Sequence, residues 1–512
     1  MNRSLEHIRE EVLRQDGSRF PGRSVVEQYL KSGFEADKGD FLDDLIEIEK
    51  ASFIMLCEQD ILPVDQRLSI RHVLTSLNPQ SLRDRAYDAA QGEDMYFVLE
   101  THLINAAGNC AANLHLGRSR NDLVRTASKM GIRRNLSYVI DALLQFAEVL
   151  LAFARHHQKT LCLEYTHTQQ AQPATVGHYI AGLLQSMLRN LRRLEVAYSL
   201  EQTCPLGAGA LTTSGFLINR QRLAGLLGFD AVAENSYDAI SSCDFLCEPA
   251  AALAVLMVDL GRFMQHLHVW AAAEYGYLQM GNAYTGISSM MPQKRNPCVL
   301  ERMRTTASLV LSKCHACMIA QHNTEWEGNL EIATTPSLIN ESLKQSRDLL
   351  YLLRNQMATL ALDEVLLNKR TMESYAVMTE LADALVRNTG VDYRTAHHIV
   401  SALVDECTSQ RLLVSEITAE HIARHFRAVT CRDINIPAET LLQSLDARRC
   451  VETRAVCGGP AAKALDAALD KLEHRLDKAV SRQARRVQRV RDSHVKLEQC
   501  LQTCVNLHSP MQ

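Results

Sequence analysis

Between Ala250 and Ala273 the chain is apolar on nearly every face of a helix, broken only by a few polar residues such as Asp259, Arg262 and Gln265. A helix of that kind has no side to offer water. It must lie inside a bundle, and in a chain of 512 residues a bundle shared between subunits is the natural place. The surrounding text agrees. No proline occurs between Pro79 and Pro173, and residues 175–202, 234–273 and 298–321 read as long, largely uninterrupted helices. The expectation is an all-α obligate oligomer with a central long-helix domain at 118–372. Shorter helices precede it at 1–117, with helical spacing at 41–60 and 94–110. A third helical domain, 373–512, ends in a helix from about Ala461 to Cys504. There Leu465, Leu469, Leu472, Leu476, Val480, Val487 and Val490 form a coiled-coil-like seam. The second half of that helix carries Arg482, Arg485, Arg486, Arg489 and Arg491, read as a solvated face.

Composition narrows the function classes. The formal net charge of −4 is small for this length and gives no reason to expect nucleic acid or a membrane surface as partner. The apolar stretch 249–258 is too short to cross a bilayer. The opening MNRSLEHIREEV lacks the apolar core of a signal peptide. With 15 cysteines, an odd number without regular spacing, this points to free thiols in a reducing cytoplasm. Cys314 and Cys317 form a lone CxxC with no second ligand pair, so a metal site is not expected there.

The chemistry concentrates in GISSMMPQKRNPCVLE, Gly286 to Glu301. Two hydroxyls, Ser288 and Ser289, precede a cation, Lys294, and an amide, Asn296, on a loop rich in small residues. Pro297 is expected in the first turn of the following helix, whose N-terminus favours anions. A loop that can close, carrying a base, a cation and donors, suits a carboxylate-bearing substrate. A second stretch, HLGRSRND (His115 to Asp122), packs two arginines around a serine and an asparagine, donors matched to carboxylate oxygens. A third, YTHTQQAQP (Tyr165 to Pro173), contains His167, its only residue able to change charge near neutral pH.

The string SSxMPxKxNP resembles the signature of the fumarase and aspartase superfamily, and GRSRND and YTHTQQAQP resemble the matching elements of argininosuccinate lyases. Residues 205–211, 226–230 and 235–239 are similar to that family as well. The resemblance implies a three-domain all-α fold and a homotetramer whose sites draw on several subunits. It implies β-elimination across a C–N bond of an N-(1,2-dicarboxyethyl) compound, releasing fumarate and an amine or guanidine, with no metal or organic cofactor. It implies Ser288 as general base, Lys294 stabilising the enediolate, and His167 paired with Glu301. Ser119, Arg120, Asn121, Thr166, Gln172, Ser289 and Asn296 would bind substrate. Two alternatives stay open: the same chemistry on another amine, and a catalytically silent crystallin-like role.

The departures fall on one half of the pocket. Ile287 replaces the family's glycine before the serine pair, which should stiffen the loop. The segment expected to hold the departing amine is rebuilt as HNTEWEGNLE, His322 to Glu331. On an ungapped count Phe34 and Lys38 stand where the family has a serine and an aspartate. Arginine is therefore expected to be handled poorly.

Overall fold

The computed structural model describes residues 4–504 apart from Gln91, and helices make up nearly all regular structure there. Helix α1 (Leu42–Glu58) anchors the N-terminal core, and α2 (Arg120–His156) opens the central bundle. Strands β1 (Leu161–Thr166) and β2 (Gln169–Thr175) form an antiparallel hairpin leading into α3 (Val176–Leu200). Then come α4 (Asp244–Trp270), α5 (Cys298–Gln321), α6 (Pro336–Thr359) and, closing the chain, α7 (Ala462–Thr503).

Helix α2 starts sharply because Ser119 and Asp122 form a capping box. Its 37 residues contain no proline, so it extends about 55 Å at 1.5 Å per residue. It buries Leu136, Val139, Leu143, Phe146 and Leu150 against α3, α6 and α7. Among the described residues α2 is the one helix long and apolar enough to cross a bilayer, which the expectation drawn from 249–258 overlooks. Its apolar side chains are instead packed inside the bundle.

The helices alternate in direction, which gives the bundle two distinct ends. Arg125, near the start of α2, stacks 4.8 Å over Phe245 at the start of α4. Lys129 donates to the carbonyl of Leu200 at the end of α3 (3.0 Å). At the far end, Tyr179 of α3 meets Trp270 of α4 at 5.5 Å, and His268 of α4 lies 3.4 Å from Glu301 of α5. We call these the capped end and the hairpin end. The first holds the starts of α2 and α4; the second holds the β1–β2 turn and the loop from α4 to α5.

Several expectations are corrected. Residues 234–273 are not one helix. A short helix, Ser236–Ser241, capped by Asn235, stops at extended Ser242. Helix α4 then starts afresh, where Asp244 accepts from the Ser242 hydroxyl (2.5 Å) and from Phe245 N (2.8 Å). Short polar side chains here compete with the helix for backbone groups. Pro297 is the residue before α5 rather than in its first turn. In α7 the seam passes through Ala479 and Gln483, while Val480 is 38% exposed. The basic half of α7 is not simply solvated. Arg482 and Arg486 both reach the buried Glu195 (2.9 and 3.0 Å), and Arg489 pairs with Asp230. All 15 cysteines are free, with Cys314 and Cys317 buried in the bundle core. Three hydrophobic cores result: the bundle, an N-terminal core around α1, and one formed mainly by residues 377–451. Helix α7 serves the first two.

Candidate functional site

At the capped end the motif residues 118–122 are held by a dense set of hydrogen bonds. Asp122 is fully buried; one carboxylate oxygen accepts from Ser119 N (2.8 Å), the other from Gly207 N (2.7 Å) and Gly209 N (3.0 Å). Burial pushes its carboxyl up, and these three N–H groups oppose that shift. Gly207 and Gly209 have positive φ (82° and 62°), and a side chain at Gly209 would meet the Thr213 carbonyl at 2.8 Å. That is the local reason for glycine in Pro205–Leu211. Arg118 turns inward to Glu49 (2.9 Å) and Ser52 (2.9 Å) and is not available to a ligand. The Ser119 hydroxyl accepts from Asn121 N (3.3 Å). Half-exposed Arg120 pairs with Glu93 at 2.8 Å and Asp94 at 3.7 Å.

Beside Arg120 and Asn121 opens a cavity of about 260 Å³, closed on its far side by residues 328–333. A Cβ at Gly328 would lie 3.0 Å from Ile240 and 3.5 Å from the Asn121 amide. The rebuilt segment 322–331 therefore folds directly over the GRSRND helix start. Arg125, one turn further along α2, also lines this cavity.

At the hairpin end the candidate residues stand in the open. His167 and Thr168 form the two-residue turn between β1 and β2, both left-handed (φ 52° and 62°). Two consecutive non-glycine residues there cost roughly 1–2 kcal/mol each, strain of a kind that clusters at functional sites. Thr166, His167 and, on β2, Gln172 are exposed. In the α4–α5 loop, Gly286 and Ile287 pair with Asn296 and Arg295 in a two-residue ladder. Extended backbone suits β-branched Ile287, which is 81% exposed. Ser288 sits just past the ladder, and its Oγ accepts from Met290 N (3.3 Å) and Met291 N (3.0 Å). Ser289 and Lys294 are exposed and Asn296 half-buried.

Within one chain the structure joins some of these residues and separates others. Ser119, Arg120 and Asn121 meet the segment 328–333; the hairpin turn and the Ser288 loop share the opposite end, about 55 Å away along α2. Among the described residues no hydrogen bond or ion pair links the three stretches. Glu301 faces His268 at 3.4 Å rather than His167, because both lie on adjoining helices while His167 projects from a turn. Phe34 and Lys38 are not pocket residues at all. Phe34 is buried in the N-terminal core, and Lys38 donates to the carbonyls of Arg83 (3.1 Å) and Arg85 (2.8 Å) and pairs with Glu35 (2.8 Å). The argument against arginine from Lys38 therefore falls. One described grouping could hold a metal ion, His156, His157 and Glu364, with ligand atoms within 4.8 Å of one another. It lies at the end of α2, at the base of the β1–β2 hairpin.

A lyase family model covers residues 91–312, and an argininosuccinate lyase C-terminal model covers 375–452. Argininosuccinate lyase 1 of Shouchella clausii is 31% identical over 89% of this chain and 92% of its own. The chain belongs to the argininosuccinate lyase family. The Methanocaldococcus jannaschii argininosuccinate lyase is 30% identical over 92% of this chain and 97% of its own. The solved structure of EDDS lyase in complex with formate superposes with a TM-score of 0.83 at 28% identity, covering 91% and 92% of the two chains.

As a carbon–nitrogen lyase the protein needs donors for carboxylates and a base at carbon. The family motifs mark the candidate stretches for both. They do not mark two features of this lyase. The N–H groups of Met290 and Met291 are backbone, so no residue type signals them. Arg125 does leave a trace: Asn121, Arg125 and Ser128 are spaced by four and three, which puts them on one helix face.

Proposed function

We propose that the lyase releases fumarate by β-elimination from an N-(1,2-dicarboxyethyl) substrate, argininosuccinate or a near relative, in homotetramers whose sites combine different copies of the chain. The observation that carries this is the Ser288 Oγ receiving two backbone N–H groups. A hydroxyl is a poor base; donors aimed at its oxygen favour the anionic form that can take a Cβ proton. Once that proton leaves, negative charge collects on the adjacent carboxylate as an enediolate. Lys294, Asn296 and loop N–H groups would stabilise it. Ser119, Arg120, Asn121 and Thr166 would hold the two carboxylates, with Gln172 and Ser289 at the margins. His167 would orient the substrate or assist the departing nitrogen, supported by Glu301 across a subunit boundary.

Sharing between copies is supported by distance and by exposed apolar surface. Groups about 55 Å apart in one chain can act together only if a second copy brings its hairpin end to the first copy's capped end. Val255 and Val258 on α4 (40% and 47% exposed) and Leu309 and Ile319 on α5 (52% and 72%) leave an apolar face for such a partner. A leaving group other than arginine is a second reading. It is favoured by the acid-rich segment 322–331 over the cavity and by the likeness to a lyase named for a different compound. Complementation tests the proposal. Ser288→Ala and His167→Asn proteins, each inactive, should regain a fraction of wild-type fumarate release when co-refolded. No recovery in demonstrated mixed oligomers would overturn site sharing; no fumarate from any succinyl-amine with wild type would overturn the reaction.

A further inference from the structure

The end of α2 gathers side chains that the elimination leaves without a task. His156 is the last residue of that helix and is exposed; His157 follows as its C-terminal cap and is 7% exposed. The helix Glu364–Met372 starts beside them, and its first residue turns a carboxylate toward the pair. The ligand atoms of His156, His157 and Glu364 all lie within 4.8 Å of one another. Among the described residues no other three histidine, cysteine or acidic side chains come together in this way.

One of the three is fixed and two can move. The His157 ring stacks on Phe153 at 4.4 Å, and its Nδ1 lies 3.0 Å from the Thr160 hydroxyl. The same Nδ1 is 3.5 Å from Glu364 Oε1. Two ligand atoms on one tetrahedral zinc, each at about 2.0–2.2 Å, stand about 3.4 Å apart. This pair therefore already has the spacing of a shared ion. His156, its ring 4.6 Å from that of His157, and Glu364, 55% exposed, close the remaining gap by turning exposed side chains. Burial, helped by the neighbouring His156, pulls the His157 imidazole below the usual histidine range, which favours the neutral ring that binds metals. Two imidazoles with one carboxylate suit a borderline transition-metal ion and not magnesium or calcium, which take oxygen ligands.

The position gives such an ion something to hold. Gly177 N donates to the His157 carbonyl and Val176 N to the Thr160 carbonyl, both at 2.9 Å, so these residues form the base of the β1–β2 hairpin. A Cβ at Gly177 would lie 2.5 Å from the Ala154 carbonyl, which is why α3 can start so close to the end of α2. The tip of the same hairpin carries His167.

We propose that His156, His157 and Glu364 bind one divalent transition-metal ion of the zinc, cobalt or nickel class, and that this ion clamps the end of α2, the base of the β1–β2 hairpin and the helix Glu364–Met372 together. Three protein ligands leave a fourth position for water. The ion takes no part in the elimination; it stiffens the support on which His167 stands.

Cobalt(II) titration of the full chain tests this, because its spectrum reports its ligands. Imidazole and carboxylate give weak visible bands, whereas thiolates add a strong near-ultraviolet charge-transfer band, a distinction needed in a chain with 15 free cysteines. Wild type should take up one cobalt per chain with visible bands only, and zinc should displace it. His156→Ala and Glu364→Gln alter exposed side chains and should fold as wild type. Each should weaken cobalt binding by about tenfold or more, since even the hydrogen-bond partners of metal ligands are worth that much. Zinc should also slow amide hydrogen exchange across residues 160–176 in wild type and not in these variants. No cobalt uptake, a thiolate band, affinity unchanged in both variants, or magnesium competing as well as zinc would each overturn the site. Uptake that leaves exchange in the hairpin unchanged would overturn the clamp.

Discussion

At the capped end of the bundle the motif residues are tied into the start of α2, whereas at the hairpin end Ser288, Lys294 and His167 stand on exposed turns. Asp122 alone fixes three backbone N–H groups from two segments. Among the described residues no buried carboxylate of that kind holds the His167 turn, whose two residues sit in strained left-handed conformations. The contrast separates two tasks. On the roles proposed above, carboxylate recognition would be fixed by one chain before any substrate arrives. The groups proposed as reactive would wait on turns for a neighbouring copy or a bound ligand to immobilise them. A fold can place donors rigidly on helix starts, but a base that must approach carbon and then release product needs a loop.

If that division is right, damage at the two ends should look different. Ser288→Ala should lower turnover by about 10²–10⁴-fold, the range for a lost general base, with the melting temperature and assembly unchanged. Turnover within a few-fold of wild type would move the base elsewhere, with Ser289 the first suspect. Asp122→Ala should do the reverse in kind. Three buried N–H groups lose a charged acceptor, so urea unfolding should show a loss of about 3 kcal/mol or more, with weaker substrate binding following from the loosened helix start. A loss under about 1 kcal/mol would mean that the capped end is held by something other than this carboxylate.

The smallest effect sharpens the comparison by pH. Glu201, at the end of α3 on the capped side, is fully buried with neither carboxylate oxygen bonded, and burial pushes its carboxyl from 4.5 up to about 8. The folded chain keeps that proton to about pH 8, while the unfolded chain releases it near 4.5. Unfolding therefore becomes easier as pH rises across that window and levels off above it. Glu201→Gln should lack this limb, so its melting temperature should match wild type near pH 5 and exceed it at pH 9. Parallel curves would show that Glu201 is ionised within the fold.

The sequence announced the long helices well where spacing and punctuation agreed. Cys298–Gln321 runs over the residues its apolar pattern assigns, and Ala462–Thr503 lies within one residue of its expected ends. It failed where local polar chemistry overrides periodicity, as at Ser242 and Cys243, and where two patterns of nearly equal quality compete. Val480 and Ala479 both fit a helical step from Leu476, and only packing against α2 and α3 selects the alanine. The candidate site was legible as three stretches but not as an arrangement. No pattern in the letters reveals that Arg118 turns away to Glu49, that Lys38 serves backbone carbonyls, or that Arg125 is left with empty donors. Each depends on burial, which is a property of neighbours far along the chain.

One feature of α7 bears on how this protein is made. Leu497, Leu501 and Cys504 are buried in the N-terminal core with α1, and Lys50 meets Glu498 at 2.6 Å while Glu47 meets His494 at 2.8 Å. A core that begins with α1 is thus closed by residues made long after it, at the far end of α7. At synthesis rates of about 5–20 residues per second, the apolar face of α1 should wait tens of seconds for its cover. Vectorial folding, domain by domain, is not open to this chain in full. Its nascent form should lean on chaperones that shield that face until α7 arrives.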